Sequence, residues 1–202
     1  IKDNPAKDLE SPKLDKRDPG YLSLNESEKL LSTVTRINKP SIERDYAIVA
    51  LFLNCGMRLS ELVSIDIDKI KEDTVSVIGK GNKERTIYLN DASLKAINEY
   101  LMVRPDVDDN ALFISTRKKR IGIRMVQQMI EDYLEATGLD TDNLSVHSLR
   151  HTSSSLMYKY GNVDIRSLQE ILGHSSVSTT ERYTHVDKEQ LRNAVKSNPL
   201  NI

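Results

Sequence analysis

The sequence has little of three things: cysteine, uninterrupted apolar stretches and net charge. Its single cysteine, Cys55, excludes an internal disulfide and fits a reducing compartment. Cys55 lies in an apolar stretch, where a thiol is expected to be a buried packing group. A membrane span needs roughly 18 or more consecutive apolar residues, and the sequence offers none, so no membrane partner is expected. The formal net charge of −1 gives no overall field to attract nucleic acid. Ile1 opens the chain with no charged-then-apolar leader, which predicts a piece of a longer protein and not a secreted precursor. With 202 residues, 38% hydrophobic and 29% charged, the chain has the composition and length of an ordinary globular domain with its own core.

The charges that are present are unevenly placed. Lys80, Lys83 and Arg85 form one basic group, and Arg117, Lys118, Lys119, Arg120 and Arg124 a second. Both are expected at DNA if they share a face. Residues 1–20 mix prolines with alternating charges and read as a linker, leaving residues 21–202 as the folded domain. Asn25 and Glu28 have capping-box spacing before Leu30, Leu31 and Val34, which predicts a first helix. A nearly buried second helix is expected over 41–54, stopped by Gly56. Residues 74–78 and 85–89 alternate as a β-hairpin, 91–103 reads as a helix, 111–114 as a short strand and 123–137 as a helix. Further helices are expected near 147–160, 164–172, 177–183 and 187–196. The fold class is therefore mainly α with a small antiparallel sheet.

All four histidines fall late in the chain, at 147, 151, 174 and 185. On a helix, His147, Arg150, His151, Ser154 and Tyr158 share one face, opposite Leu149, Leu156, Met157 and Tyr160. That face presents imidazole and guanidinium together, a pair suited to a phosphodiester. His147 and His151 have the spacing of helical metal ligands. The zinc-protease pattern, however, needs Glu directly after the first His, where Ser148 stands, and no third ligand is evident. No metal and no other cofactor is expected. Gly79-Lys80-Gly81 lacks the Ser or Thr that follows Gly-Lys in a Walker A loop, so it is not a nucleotide cradle. Tyr46, Tyr100, Tyr133, Tyr158 and Tyr160 occupy helical positions and read as packing residues.

The segments Gly56-Met57-Arg58-Leu59-Ser60-Glu61-Leu62, Gly79-Lys80-Gly81-Asn82-Lys83-Glu84-Arg85, His147-Ser148-Leu149-Arg150-His151, Leu172-Gly173-His174 and Tyr183-Thr184-His185 resemble the tyrosine recombinases, or phage integrase family. The resemblance is nearest to the Xer-like branch and extends over residues 21–196. It implies that fold and a site-specific recombinase that cleaves and rejoins DNA through a 3′-phosphotyrosyl bond and a Holliday junction, without metal or ATP. Tyr183 would be the nucleophile, Arg58 and Arg150 would grip the non-bridging oxygens, and Lys80 would protonate the leaving 5′-oxygen. His147 would handle the proton of Tyr183, His174 would hydrogen-bond the phosphate, and Glu61 would orient Arg58. The family also implies a missing N-terminal core-binding domain whose tail is residues 1–20. Its other implications are a C-terminal exchange helix over about 187–196, a homo- or heterotetramer on a double-stranded recombination site, and a bacterial cytoplasmic, nucleoid-associated location. Asn54-Cys55-Gly56-Met57 departs from the usual Thr-Gly-Leu and alters packing around Arg58, not its charge. Type IB topoisomerase-like relaxation and a silent DNA-binding module are the competing readings.

Overall fold

The computed structural model describes residues 20–78, 84–141, 144–161, 163–173, 192–193 and 195–201. Lys80, Lys83, His174 and Tyr183, and most of the two last expected helices, lie outside the described residues.

Helix α1 (Leu24–Arg36) is started by Ser23: its hydroxyl accepts the Glu26 N–H, and the Glu26 carboxylate accepts the Ser23 N–H at 2.7 Å. The capping box thus sits two residues before the expected Asn25–Glu28 pair. Both spacings are present in the sequence. The tertiary fold selects the earlier one, because buried Leu22 is anchored by its N–H to Thr152 Oγ1 at 2.9 Å. Leu30, Leu31 and Val34 form the buried stripe of α1.

Helix α2 (Ile42–Cys55) is the centre of the molecule, packed by α1 and by two later helices, α4 (Asp91–Val103) and α6 (Val146–Tyr160). Its run from Ala47 to Leu53 is buried throughout. A helix apolar on all sides must be enclosed on all sides. Gly56 ends it at φ 59°, a left-handed conformation that favours glycine.

Two small elements have no counterpart in the sequence reading: the five-residue helix α3 (Leu59–Val63) and the two-residue strand β1 (Ile70–Lys71), which follows a 3-10 turn at Ile67–Lys69. Each is too short to show a period. Strand β1 pairs with β2 (Thr74–Ile78), and β2 with β3 (Glu84–Tyr88), making an antiparallel sheet of order β1-β2-β3. The register sets Val75 opposite Ile87 and Val77 opposite Arg85.

The strand expected over 111–114 is instead an extended segment with two isolated bridges, Asp66 to Ala111 and Ile114 to Arg120. All four of its residues are buried without alternation, so its apolar signal reports burial and not ladder pairing. Helix α5 (Ile123–Ala136) precedes α6, and α7 (Ile165–Leu172) follows it, ending at Gly173 with φ 61°. On α6, Leu149, Leu156 and Met157 are buried as expected, while Tyr160 is 54% exposed, beyond the reach of the core at the last turn. Residues 195–201 return to the body: Asn198 Nδ2 donates to Leu53 O at 2.8 Å, and Ala92 N donates to Asn201 Oδ1 at 2.8 Å. Among the described residues no helix is long and apolar enough to cross a membrane.

Candidate active site

Four segments converge where α2 ends. The left-handed turn at Gly56 delivers Arg58 to the N-cap of α3, and Glu61 is the third residue of that helix. Glu61 is completely buried. An isolated carboxylate there would be strongly disfavoured, so its partners define the site.

Both carboxylate oxygens are filled. Oε1 accepts from Arg58 Nη1 at 2.9 Å and from Arg85 Nε at 2.9 Å. Oε2 accepts from the Arg58 backbone N–H at 2.7 Å and from Arg85 Nη2 at 2.8 Å. Burial opposes ionisation of Glu61, but the hydrogen bonds and charge of Arg85, followed by those of Arg58, outweigh it and hold the carboxyl below the usual range.

The same arginines close on the end of α7. Arg85 Nη1 donates to Ile171 O at 2.6 Å, Arg150 Nη2 to Leu172 O, and Arg58 Nη2 to Gly173 O at 2.8 Å. Arg150 Nη1 also donates to Gly56 O at 2.6 Å. The last carbonyls of a helix lack intrahelical partners and carry partial negative charge, so guanidinium groups satisfy them in both respects.

Three guanidinium charges thus surround one carboxylate, and the cluster is left positive. Burial, and then repulsion from Arg58 and Arg85, lowers the Arg150 pKa to about 10. Arg150 remains charged at neutral pH, but it sits where an added anion would relieve it. The Arg58 side chain keeps 30% of its surface exposed, and its guanidinium carries more donors than these contacts use. Exposed His147 stands one turn before Arg150 on α6.

The structure therefore brings Arg58, Arg150 and Glu61 together and places His147 on α6, the helix that carries Arg150. Arg85 departs from its expected place: it is not a surface residue beside Lys80 and Lys83, because each of its three nitrogens donates inward. The alternation of β3 carried the signal, since Arg85 shares a face with buried Ile87.

In the second basic group, Arg117, Lys118, Lys119 and Arg124 are exposed. Arg120 is exposed as well, and is also tied to Asp66 and to the Val63 and Ile65 carbonyls. His151 is exposed on α6. No three His, Cys, Asp or Glu side chains gather as a metal site among the described residues. Cys55 is buried, and burial raises its thiol to about 11, which suits packing and not nucleophilic attack.

Comparison with known proteins gives the family. The model of the Phage integrase family matches residues 21–190. A "Tyrosine recombinase XerC" of Caldanaerobacter subterraneus subsp. tengcongensis is 58% identical over 99% of this chain and 57% of its own length. A "Tyrosine recombinase XerC" of Alcanivorax borkumensis is 39% identical over 94% of this chain and 63% of its own. Among solved structures, XerA recombinase superposes with a TM-score of 0.69 at 32% identity, over 86% of this chain and 63% of that one. XerH bound to difH substrate, in a pre-cleavage complex, gives 0.70 at 27% identity over 89% and 54%. The chain thus spans under two thirds of the length of these relatives. Its arginine–glutamate cluster and its overall likeness lead to one assignment: the chain belongs to the phage integrase family of tyrosine recombinases, in its Xer-like branch.

Proposed function

We propose that this chain carries the catalytic centre of a site-specific recombinase that breaks and rejoins double-stranded DNA. The observation that carries the reading is the positive surplus at Arg58, Arg85 and Arg150 around a single buried Glu61. Such a centre suits an anion whose charge grows in the transition state.

In the proposed reaction Tyr183 attacks a scissile phosphorus, and the bond from phosphorus to the 5′-oxygen breaks. The phenol proton passes toward His147, and the departing oxygen takes a proton from Lys80. The product is a 3′-phosphotyrosyl linkage and a free 5′-hydroxyl. A phenol with a pKa of about 10 needs both a base and a positive field to react at neutral pH. Arg58 and Arg150 would supply that field by donating to the non-bridging oxygens, with His174 as a further donor. Because the linkage keeps the energy of the broken bond, rejoining through a Holliday junction needs no ATP.

Lys80, Lys83 and the exposed Arg117, Lys118, Lys119 and Arg124 would contact the DNA backbone, which positions a protein without reading sequence. A tetramer on DNA, joined through residues near 187–196, and action at the bacterial nucleoid complete the reading.

The test is adduct trapping on nicked suicide duplexes from a DNA fragment library, in chelator, with full-length protein and its Tyr183→Phe variant. Mass spectrometry of a DNA-linked peptide containing Tyr183, absent from the variant, is the expected result. An adduct of equal yield in Tyr183→Phe, or no adduct from the wild type, would overturn the reading.

A further inference from the structure

Of the three arginines in the cluster, Arg85 is the one without a proposed contact to the phosphate. Its guanidinium makes a two-pronged contact with Glu61, at 2.9 and 2.8 Å, and its remaining nitrogen reaches Ile171 O at 2.6 Å. Only 15% of its side-chain surface is exposed. Each of its three nitrogens has a partner inside the protein, which ties the group to the protein and does not present it to a DNA phosphate. Arg85 instead joins two bodies that must be held in register.

One body is Glu61, which holds the Arg58 guanidinium and backbone. The other is the end of α7, where Leu172 O and Gly173 O receive Arg150 and Arg58 and where the sequence runs directly into His174. Gly173 shows how close the approach is: a Cβ added there would lie 3.1 Å from Arg85 Cδ and 3.2 Å from its Nη1.

We infer that Arg85 is a positioning residue for strand cleavage: through Glu61 and the α7 carbonyls it fixes the two phosphate-gripping arginines relative to one another, without touching DNA. This rests on the recombinase reading above. The mechanism is geometric and electrostatic together. A misplacement of about 1 Å in a catalytic group can cost on the order of 10²-fold in rate. Lysine cannot replace the planar fork, although it keeps the charge. The groups facing Glu61 are Arg58, Arg85 and, at longer range, Arg150. Removing Arg85 takes away its strongest partner, so its carboxyl would protonate at a higher pH.

The experiment uses full-length protein and the duplex recovered by adduct trapping. Single-turnover cleavage across acid and neutral pH, and DNA affinity at several salt concentrations, are compared for wild type, Arg85→Met, Arg85→Lys, Glu61→Gln and the Arg85→Met/Glu61→Gln pair. Arg85→Met should cleave about 10²-fold more slowly, with affinity and salt slope unchanged and the acid limb moved to higher pH. Arg85→Lys should recover part of the rate. The double variant should be no slower than its slower single parent, because both act through one contact.

Weakened binding with a salt slope reduced by about one would make Arg85 a direct phosphate contact and overturn the inference. Multiplying losses in the double variant, or a wild-type rate in Arg85→Met, would overturn it as well. Where Arg85→Met does not fold, the pH profile of Arg85→Lys, read beside its Tm, decides. An inactive wild type would remove the recombinase reading itself, an outcome distinct from all of these.

Discussion

Two buried arginine networks of this molecule look alike in their contacts and differ in their charge. In the first, Arg44 Nε and Nη2 bind Asp45 Oδ1 at 2.9 and 2.7 Å, and Nη1 reaches Ile114 O at 3.0 Å. Asp45 Oδ2 accepts from Ser41 Oγ and Tyr133 OH, each at 3.0 Å. One cation meets one anion, both nearly out of solvent, and the network joins α2 to α5. In the second, Glu61 is as deeply buried, but three arginines converge on it and on the end of α7. The balanced network carries no surplus charge to offer a ligand. The unbalanced one is held together by its carboxylate and helix carbonyls and still carries excess positive charge. Burial of charge marks architecture, and imbalance of buried charge marks a site.

Cutting each network should give different signatures. The largest stability loss is expected from Asp45→Ala, which leaves Arg44 buried without its counter-ion, at about 3–5 kcal/mol in urea denaturation. Its cleavage rate, measured well below its Tm, should stay near wild type. A loss below about 1 kcal/mol would mean that the pair is not architectural.

A smaller effect sharpens the contrast. Gly138 and Gly173 both have left-handed backbones, at φ 67° and 61°, but only at Gly173 would a Cβ meet Arg85. Alanine at either should cost about 1–2 kcal/mol of stability by calorimetry. Only Gly173→Ala should also slow cleavage. Equal cleavage by both variants would detach the α7 terminus from the site.

The smallest effect is on acid stability. Glu61 is held below the ordinary carboxylate range, so its contribution is fully present above the unfolded value of about 4.3. That contribution is lost as pH falls through the lower folded value. Glu61→Gln should therefore flatten the acid limb of stability against pH in chemical denaturation, and an unchanged limb would contradict the assignment.

The legibility of the two networks in sequence differs for physical reasons. Arg58, Glu61 and Arg150 stand in segments whose order resembles a known family, and Glu61 lies one helical turn from Arg58. Arg85 follows Lys80 and Lys83, so it reads as part of a basic loop, although the period of β3 turns it inward with Ile87. Its carbonyl partners at Ile171, Leu172 and Gly173 are backbone groups, which leave no trace in residue type. The Ser23 cap was equally spelled out beside Asn25, and only the anchor from Leu22 to Thr152 separates them. Long helices, such as α2, α4 and α6, are legible to within a residue or two. Helix α3 and strand β1 are too short for any period to register.

The most direct measurement is single-turnover cleavage by wild type and Arg150→Ala on two duplexes, one with the natural scissile phosphate and one with an uncharged methylphosphonate there. On the phosphate the variant should lose about 10²–10³ in rate. On the phosphonate most of that loss should vanish, since the charge Arg150 answers is gone. An equal loss on both duplexes would contradict the account, because the buried positive surplus would then not face the reacting phosphate.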